Sequence, residues 1–332
     1  MEMKDILNYL FGKNILSKTE AKDILTSIGK GEFSEIEIAA FLTVFQMRKI
    51  SPQELAGFRE ALLDLCVPVQ LDGMHTIDVC GTGGDGKNTF NISTLTAFIL
   101  AGAGIKVLKH GNYGASSVSG SSNVFEHFGY KFSNDNDKLK NELDTANICY
   151  LHAPLFHPAM KHVGPVRKGL KVQTFFNLLG PMINPGRPTS QIVGVFNQEA
   201  LELYHNVYKE LGINYYILHS LDGYDEISLT GEFRAVSSKK DKIFTPDNFG
   251  FRTNSPEELH GGNTIAEATT LFINILEGKG SEAQVNAVIT NAAFGINSYF
   301  PEKSLEQSIE IAEKSLTDGK ALHALNTLME LQ

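Results

Sequence analysis

The sequence predicts a small all-helical domain and a large α/β domain with a mainly parallel central sheet covered by helices. Two observations support this fold class. The amino-terminal part shows helical periodicity with clear helix-start signals, and from Thr76 onward short apolar strands alternate with helices. Such alternation is typical of parallel sheets whose faces are covered by helices. A chain of 332 residues is also long enough to form two lobes.

The helical domain is predicted to contain four short helices. Ser34 with Glu37 and Ser51 with Glu54 form capping boxes, which mark helix starts. The apolar residues are too many for one narrow stripe, so this domain must pack against a later part of the chain. The predicted boundaries are 1–67 for the small domain, with helices from about 157–183 packing onto it, and 74–156 with 184–332 for the large domain.

The large domain is predicted to alternate strands and helices. The strands are expected at 76–80, 105–109, 147–151, 191–196 and 215–219, and the helices at 93–103, 121–128, 136–145, 199–211, 264–276, 281–299, 302–316 and 320–331.

Composition excludes several classes of protein. The net charge of −9 argues against a general nucleic-acid or anionic-membrane binder. The longest nearly apolar stretch, 95–105, is too short to span a bilayer, and residues 1–5 do not resemble a signal peptide, so we expect a cytoplasmic protein. The three cysteines lack metal-ligand spacing and are expected to be reduced.

A glycine-rich loop between an apolar strand and a helix is the strongest functional signal. Residues 78–94 carry four glycines, several hydroxyl side chains and Asp85. Glycines let backbone N–H groups approach phosphate oxygens, and the following helix adds positive potential. The spacing fits neither the P-loop nor the dinucleotide-binding fingerprint. Glycine content alone does not separate an ordinary turn from a ligand loop, but Asp85 and the hydroxyls favour the ligand loop.

Two further segments carry candidate chemistry. Residues 109–123 are rich in serine, glycine and asparagine, and Lys109 would reach the same crevice if its strand lies beside strand 76–80. The alternative is a mobile surface loop. Asp225 and Glu226 follow the strand at 215–219 and could hold Mg²⁺ opposite a phosphate, although adjacent acids are often only solvated charge. His110 is the only histidine that we select as a candidate.

In combination, these motifs strongly resemble the anthranilate phosphoribosyltransferase family, along nearly the whole chain. The motifs are Gly-Thr-Gly-Gly-Asp at 81–85, Asn-Ile-Ser-Thr at 91–94, Lys-His-Gly-Asn at 109–112, His-Pro-Ala-Met at 157–160, Asn-Leu-Leu-Gly-Pro at 177–181 and Asp-Glu at 225–226. The resemblance implies a nucleoside phosphorylase/phosphoribosyltransferase-type fold and a homodimer formed through the helical domain. It implies Mg²⁺-dependent transfer of the phosphoribosyl group of phosphoribosyl pyrophosphate to anthranilate, in tryptophan biosynthesis, with two Mg²⁺ ions expected.

The resemblance also implies a set of site residues. The expected contacts of phosphoribosyl pyrophosphate are Gly81, Gly84, Asp85, Thr89, Asn91, Ser93, Thr94, Lys109, Ser117 and Ser121. The expected contacts of anthranilate are Gly81, His110, Asn112 and Arg167, and the expected metal ligands are Ser93, Asp225 and Glu226. No residue is assigned as a catalytic acid or base.

The sequence departs from the usual family pattern at four positions. These are Tyr113 and Gln173, where arginine is usual, Val118, where lysine is frequent, and Asn123, where aspartate is usual. The departures concern the details of pyrophosphate binding. Two other functions share the general architecture: a pyrimidine nucleoside phosphorylase, and a non-catalytic relative that binds nucleic acid. The Asp225-Glu226 pair, the 81–85 motif and the acidic charge balance favour the transferase.

Overall fold

The structure is a computed structural model that describes residues 2–71, 73–114 and 118–332. It divides into two compact units. The helical unit comprises the chain up to Val69 together with Pro154–Pro185, and the α/β unit comprises Gln70–Ala153 and Gly186–Gln332. No helix in the described ranges combines the length and the apolar character that crossing a membrane requires.

The elements are named in chain order. They are α1 (Met3–Phe11), α2 (Lys18–Lys30), α3 (Glu35–Met47), α4 (Pro52–Asp64), β1 (Ile77–Gly81), α5 (Ile92–Gly102), β2 (Val107–Gly111), α6 (Ser121–His127), α7 (Asn136–Ala146), β3 (Ile148–His152), α8 (Ala153–Phe156), α9 (Met160–Leu170), α10 (Phe176–Leu179), β4 (Ser190–Gly194), α11 (Gln198–Tyr208), β5 (Asn214–Ser220), β6 (Phe233–Val236), β7 (Asp241–Phe244), α12 (Ile265–Leu276), α13 (Glu282–Tyr299), α14 (Leu305–Thr317) and α15 (Lys320–Glu330). Short 3₁₀ helices lie at Gly180–Ile183, Pro246–Phe249 and Pro256–Leu259.

The first helices start at reciprocal capping boxes. Ser34 and Ser51 cap α3 and α4 with Glu37 and Glu54 as partners, as the sequence predicts, and Ser17 caps α2 in the same way. In each box the serine hydroxyl accepts the N3 backbone N–H while the glutamate accepts the serine backbone N–H. Local chemistry therefore fixes where these helices begin.

An aromatic cluster forms part of the core of the helical unit. Phe41, Phe45 and Phe58 contact one another edge to face, with ring centroids 5.2–6.0 Å apart. Phe175, from the second chain segment of this unit, stacks on Phe58 at 4.5 Å. Aromatic pairs of this kind stabilise by about 0.5–1.5 kcal/mol beyond the area they bury. Residues far apart in the chain thus complete one core.

The α/β unit is built on a seven-stranded sheet with the order β3-β2-β1-β4-β5-β6-β7. The pairs among the first five strands are parallel, and β6 and β7 add an antiparallel edge. The predicted fold class is confirmed, and the five predicted strands lie within two residues of the observed ones. The helices α5 and α13, which pack against each other, bury side chains around most of their circumference. Such helices belong to the interior of a domain.

The sequence analysis did not locate β6 and β7. Each has only four residues, and β7 carries two exposed charged side chains, Asp241 and Lys242. A period-two pattern over four residues is too short to separate a strand from a loop. These strands form because β6 hydrogen-bonds to β5, an interaction that no local pattern encodes.

Candidate active site

The candidate site lies at the carboxyl ends of β1 and β4, which are neighbours in the sheet. In the sheet, β2 and β3 lie on one side of β1, whereas β4 and β5 lie on the other side. In open α/β sheets, ligands bind in the crevice where the strand order reverses in this way. The loop between β1 and α5 therefore emerges at the expected ligand position. Gly83, Gly84 and Gly86 of this loop have φ values of +65°, +81° and +70°, which glycine adopts without steric cost.

The acidic turn that follows β5, residues 222–228, contacts this glycine-rich loop directly. The backbone N–H of Gly83 donates to Oδ2 of Asp225 at 2.7 Å. The backbone N–H of Ser93, in the first turn of α5, donates to Oε1 of Glu226 at 2.9 Å. The two acids that the sequence places after β5 are thus brought against the predicted phosphate-binding loop.

Two glycines make this close approach possible. A Cβ atom at Gly194, the last residue of β4, would lie 1.4 Å from the backbone oxygen of Asp225. A Cβ atom at Gly81, the last residue of β1, would lie 2.3 Å from Oδ2 of Asp225. Asp225 can therefore occupy its position only because the last residues of β1 and β4 have no side chain.

The carboxylates of the site are buried close to one another, which makes their ionised forms unfavourable. Burial raises the pKa of Asp225 well above its usual range, and the negative charges of Glu226 and Asp85 raise it further. Burial and the charge of Asp85 raise the pKa of Glu226 to about 7, although Lys109 and the hydrogen bonds of Ser93 oppose the shift. Three acids therefore share a region in which Lys109 is the cation that favours the ionised form of Glu226.

The donor set fits a hard cation that is shared with a ligand. Oδ2 of Asp85 is buried and accepts no hydrogen bond from any described residue, whereas Oδ1 accepts the backbone N–H of Lys87 at 3.0 Å. Among residues 2–71, 73–114 and 118–332, no three His, Cys, Asp or Glu side chains form a complete protein cage for a metal. Mg²⁺ usually takes one or two carboxylates and completes its octahedron with waters and substrate phosphates. Asp225 and Glu226, two adjacent carboxylates, match that pattern.

Lys109 lies beneath the site. It is 1% exposed, and its ammonium group donates to the backbone oxygen of Val79 at 2.7 Å and to Oγ of Ser93 at 3.4 Å. Burial lowers the pKa of Lys109, while the charge of Asp78 opposes this shift. The lysine therefore joins β1 to the first turn of α5 and places positive charge below the loop.

A buried polar network supports Lys109, and the sequence analysis did not identify it. Asp78, in the middle of β1, is fully buried; it accepts the backbone N–H of His110 at 3.2 Å and the side-chain amide of Gln191 at 3.3 Å. Tyr208 in turn donates to Gln191 at 2.7 Å. The available signal was a single carboxylate inside an apolar parallel strand, since such a group is costly to bury without partners.

The second predicted loop lies next to the first. The side-chain amide of Asn91 donates to the backbone oxygen of Ser119 at 2.9 Å. The backbone oxygen of Asn112 accepts the hydroxyl of Ser121 at 3.4 Å and the backbone N–H of Ser122 at 3.1 Å. The structure therefore brings Asn91, Asn112 and Ser121 to neighbouring positions at the ends of β1 and β2.

The remaining predicted site residues take varied positions. Thr89 forms an isolated antiparallel bridge with His260. Thr94 is 1% exposed within α5, so its side chain belongs to the interior rather than to an open surface. His110 is buried at 6% exposure. Ser117 lies outside the described residues.

Arg167 belongs to the helical unit, on α9. Its guanidinium donates to Oδ1 of Asn177 at 3.2 Å and lies 5.5 Å from the ring centre of Phe176. Burial lowers its pKa, and no acid of the described chain forms an ion pair with it. A half-buried guanidinium held by an amide and an aromatic ring keeps donors available for a carboxylate.

The four departures from the usual family pattern have ordinary structural surroundings. Tyr113 contacts the rings of His152 and Phe132, and Val118 is exposed. Oδ1 of Asn123 accepts the backbone N–H groups of Gly114 at 3.2 Å and Gly120 at 2.9 Å. The backbone oxygen of Gln173 accepts the side chain of Gln46 at 2.7 Å. Three of the four positions thus take part in local packing or hydrogen bonding.

The two units match a known pair of domains. Residues 4–66 match the helical bundle domain of the glycosyl transferase family, and residues 73–322 match its a/b domain. The chain is therefore a glycosyltransferase of the class that joins a helical bundle to an α/β domain.

Relatives of known function identify the family within this class. The chain is 56% identical to the anthranilate phosphoribosyltransferase of Flavobacterium johnsoniae, with 99% of each chain covered. It matches the crystal structure of anthranilate phosphoribosyltransferase from Thermus thermophilus with a TM-score of 0.93 and 31% identity, covering 100% of this chain and 99% of that one. The enzyme from Saccharomyces cerevisiae in complex with PRPP and Mg gives a TM-score of 0.92 at 25% identity, with 99% and 97% covered. The chain belongs to the anthranilate phosphoribosyltransferase family.

Proposed function

We propose that this chain transfers the phosphoribosyl group of 5-phosphoribosyl 1-pyrophosphate to the amine of anthranilate. The products are N-(5-phosphoribosyl)anthranilate and pyrophosphate, and the reaction belongs to tryptophan biosynthesis. Full-length similarity to enzymes of this name supports the reaction, and it does not support the phosphorylase or the nucleic-acid-binding alternative. The observation that carries the proposal is the contact of Asp225 and Glu226 with the β1–α5 loop.

The loop is suited to holding a diphosphate. Its glycines leave backbone N–H groups accessible, and α5 begins immediately after it, which adds the positive end of a helix. Lys109 contributes a fixed positive charge below Ser93. Asp225, Glu226 and Ser93 would hold Mg²⁺, which supplies charge neutralisation to the departing pyrophosphate. We expect two ions on the basis of the sequence resemblance.

The reaction needs electrostatic stabilisation more than proton transfer. The amine nitrogen of anthranilate forms a bond to the anomeric carbon as the bond from that carbon to the pyrophosphate oxygen breaks, and the amine then loses a proton. Positive charge builds up on the sugar and negative charge on the leaving group, so preorganised donors lower the barrier. An aromatic amine is already neutral near pH 7, and we therefore assign no catalytic base.

We assign anthranilate binding to Gly81, His110, Asn112 and Arg167, as the family resemblance implies. A guanidinium can bind a carboxylate through two parallel hydrogen bonds, a charge-assisted interaction of roughly 1.5–3 kcal/mol. The absence of a competing acid beside Arg167 among the described residues supports this role. The remaining members of the predicted substrate set keep the roles that the sequence resemblance implies.

The direct test is a fluorescence assay of substrate consumption. Purified protein is mixed with phosphoribosyl pyrophosphate, Mg²⁺ and anthranilate, and the loss of anthranilate fluorescence is followed. Omission of each component in turn should abolish the signal. Phosphate-dependent cleavage of thymidine, or a salt-sensitive gel shift with DNA in the absence of transferase activity, would instead favour one of the alternatives.

We also propose that the protein forms a homodimer through the helical unit and acts in the cytoplasm. Large apolar side chains of this unit are exposed, among them Ile36 at 83% and Met47 at 85% on α3 and Phe11 at 64% on α1. Exposed apolar surface of this kind is typical of interaction sites. Light scattering should give twice the chain mass, and Met47→Glu should shift the mass toward that of a single chain.

A further inference from the structure

A chain of four hydrogen-bonded side chains runs beneath the second loop of the site. Oη of Tyr150 lies 2.9 Å from Oγ of Ser121 and 2.7 Å from Oγ of Ser122. Oγ of Ser122 lies 2.9 Å from Nδ1 of His152. We call these four residues, in the order Ser121, Tyr150, Ser122 and His152, the hydroxyl relay.

The relay is held by rigid surroundings. Tyr150 and His152 are two residues apart on β3, so their side chains emerge on the same face of the sheet. The ring of Tyr150 is fully buried and stacks on Phe125 at 4.1 Å, and the ring of His152 stacks on Phe132 at 4.2 Å. Neither ring can turn without disturbing these stacks.

Gly111, at the end of β2, gives the relay its space. A Cβ atom there would lie 2.2 Å from Oγ of Ser121 and 2.6 Å from Oη of Tyr150. The loop therefore closes onto the tyrosine hydroxyl only because this position lacks a side chain. The hydroxyl of Tyr150 thus hydrogen-bonds Ser121, the first residue of α6, from below the loop.

The direction of the hydrogen bonds decides what Ser121 can offer a ligand. Each hydroxyl donates one proton, and the two head-to-tail directions of the relay have opposite effects on Ser121. If Nδ1 of His152 accepts from Ser122, then Ser122 accepts from Tyr150, and Tyr150 accepts from Ser121. Ser121 then has no proton left for a phosphate oxygen.

The opposite direction frees that proton. If Nδ1 of His152 donates to Ser122, the Ser122 hydroxyl is free to donate to Tyr150, and Tyr150 can then donate to Ser121. The proton of Ser121 then points away from Tyr150, and the acceptor it has among the described residues is the backbone oxygen of Asn112 at a long 3.4 Å. A charged phosphate oxygen is a stronger acceptor than this carbonyl at that distance.

We propose that Tyr150 is a positioning residue for phosphoribosyl pyrophosphate, and that the hydroxyl relay, with the Nδ1 proton of His152 at its end, turns the Ser121 hydroxyl toward the bound phosphate. The inference rests on the proposed function, because it takes Ser121 as a contact of that substrate. The inference goes beyond the proposed function by assigning roles to Tyr150, Ser122 and His152, none of which the sequence analysis selected.

The test compares two tyrosine-to-phenylalanine variants of the full chain. Tyr150→Phe removes the central hydroxyl of the relay and keeps the ring stack. Tyr130→Phe is the matched control, because its hydroxyl is also buried beside β3 but donates to Glu142 at 2.6 Å. That hydroxyl also lies 3.4 Å from the backbone nitrogen and 3.5 Å from the backbone oxygen of Tyr150, so the control keeps the same neighbourhood while leaving the hydroxyls of the relay in place. Steady-state kinetics, calorimetric binding of Mg²⁺-phosphoribosyl pyrophosphate and thermal unfolding are measured for both.

We expect Tyr150→Phe to raise the KM and the Kd for phosphoribosyl pyrophosphate about tenfold, with kcat for saturating substrates changed less than about twofold. Tyr130→Phe should lower the melting temperature while leaving that KM unchanged. In a Ser121→Ala background, Tyr150→Phe should have no further effect on the KM, since the relay then has no hydroxyl to orient.

Two outcomes overturn the proposal: an equal rise in KM for both phenylalanine variants, or an undiminished effect of Tyr150→Phe in the Ser121→Ala background. A two-bond ¹H–¹⁵N spectrum of histidine-labelled protein with bound phosphoribosyl pyrophosphate gives an independent check, and an unprotonated Nδ1 of His152 would also overturn it. Failure of the wild-type protein to consume anthranilate would refute the proposed transferase reaction instead, while the calorimetric comparison would still report on the relay.

Discussion

The carboxylate of Asp225 and the backbone N–H of Gly83 are joined by a 2.7 Å hydrogen bond across 142 positions of sequence. The bond ties the turn after β5 to the loop after β1. Gly81 and Gly194 leave room for this contact, so the acid lies directly against the glycine-rich loop. Metal ligands and phosphate donors are therefore fixed relative to each other by backbone contacts.

Replacement of both metal-site acids by amides should impair metal use without unfolding the protein. We expect Asp225→Asn with Glu226→Gln to raise the Mg²⁺ concentration needed for half-maximal activity at least about tenfold and to depress turnover, because amides are weaker ligands for a hard cation. Glu232→Gln is the control, since Glu232 is exposed outside the site. A Mg²⁺ titration checks this, and an unchanged Mg²⁺ requirement in the double variant would remove both acids from the metal site.

The pH dependence of stability should reveal the raised pKa of Glu226. An unfolded glutamate titrates near 4.5 and the folded one near 7, so between these pH values the folded state holds more protons than the unfolded state. Stability contributed by this group therefore falls as pH rises from about 4.5 to about 7, by at most about 3 kcal/mol. Asp225 acts in the same direction.

The measurement is thermal unfolding of the wild type and of Glu226→Gln from pH 5 to pH 8. The variant should lose less stability than the wild type across this interval. Mg²⁺ should raise the melting temperature of the wild type more at pH 8 than at pH 5.5, because it binds the deprotonated carboxylates. Identical pH profiles for the two proteins would contradict the raised pKa of Glu226.

Loss of the Arg167 guanidinium should affect anthranilate and not the other substrate. We expect Arg167→Ala to raise the KM for anthranilate about tenfold or more, since one charge-assisted pair is lost, with a near-normal KM for phosphoribosyl pyrophosphate. Lys168→Ala, an exposed neighbour on α9, serves as the control. An unchanged KM for anthranilate in Arg167→Ala would exclude the assigned contact.

A methyl group at the end of β4 should be far more damaging than one on an open turn. Gly194→Ala places a Cβ atom 1.4 Å from the backbone oxygen of Asp225, so the acidic turn must move. We expect a loss of about 3 kcal/mol or more in unfolding free energy, together with loss of activity. At Gly231 a Cβ atom meets nothing within 4 Å, and Gly231→Ala should stay within about 0.5 kcal/mol of wild type. Equal urea midpoints for the two variants would refute the steric argument.

Local sequence patterns predicted the elements that position the site. The apolar strand, the glycine-rich loop and the apolar helix at 92–102 follow one another without interruption, so β1 and α5 could be located from periodicity and turn residues. The alternation of strands and helices predicted a mainly parallel sheet, and the neighbouring position of β1 and β2, which the sequence left as a condition, is observed. Where the boundaries of an element are marked by glycine or capping residues, the sequence alone was sufficient to locate it.

Contacts between distant segments were beyond those patterns. The position of Asp225 and Glu226 after a strand suggested a Mg²⁺ site opposite a phosphate, but adjacent acids are often only solvated charge and no periodicity relates a turn after β5 to a loop after β1. The buried partners Gln191 and Tyr208 were missed since each resembles an ordinary strand or helix residue, and the signal of Asp78, a lone carboxylate in an apolar strand, does not name its partners. Tyr150 was missed for the same reason, as its hydroxyl is informative only once Ser121 and Ser122 are seen beside it.

The discontinuous helical unit has a consequence for synthesis on the ribosome. Its last segment, Pro154–Pro185, is translated after β1, β2 and β3 but before β4. The helical unit can therefore be completed before β4, β5, β6 and β7 have been synthesised, when one edge of β1 is still unpaired. An unpaired strand edge can pair with other chains. The edge of β1 thus stays unpaired during synthesis until β4, its neighbour in the sheet, is available.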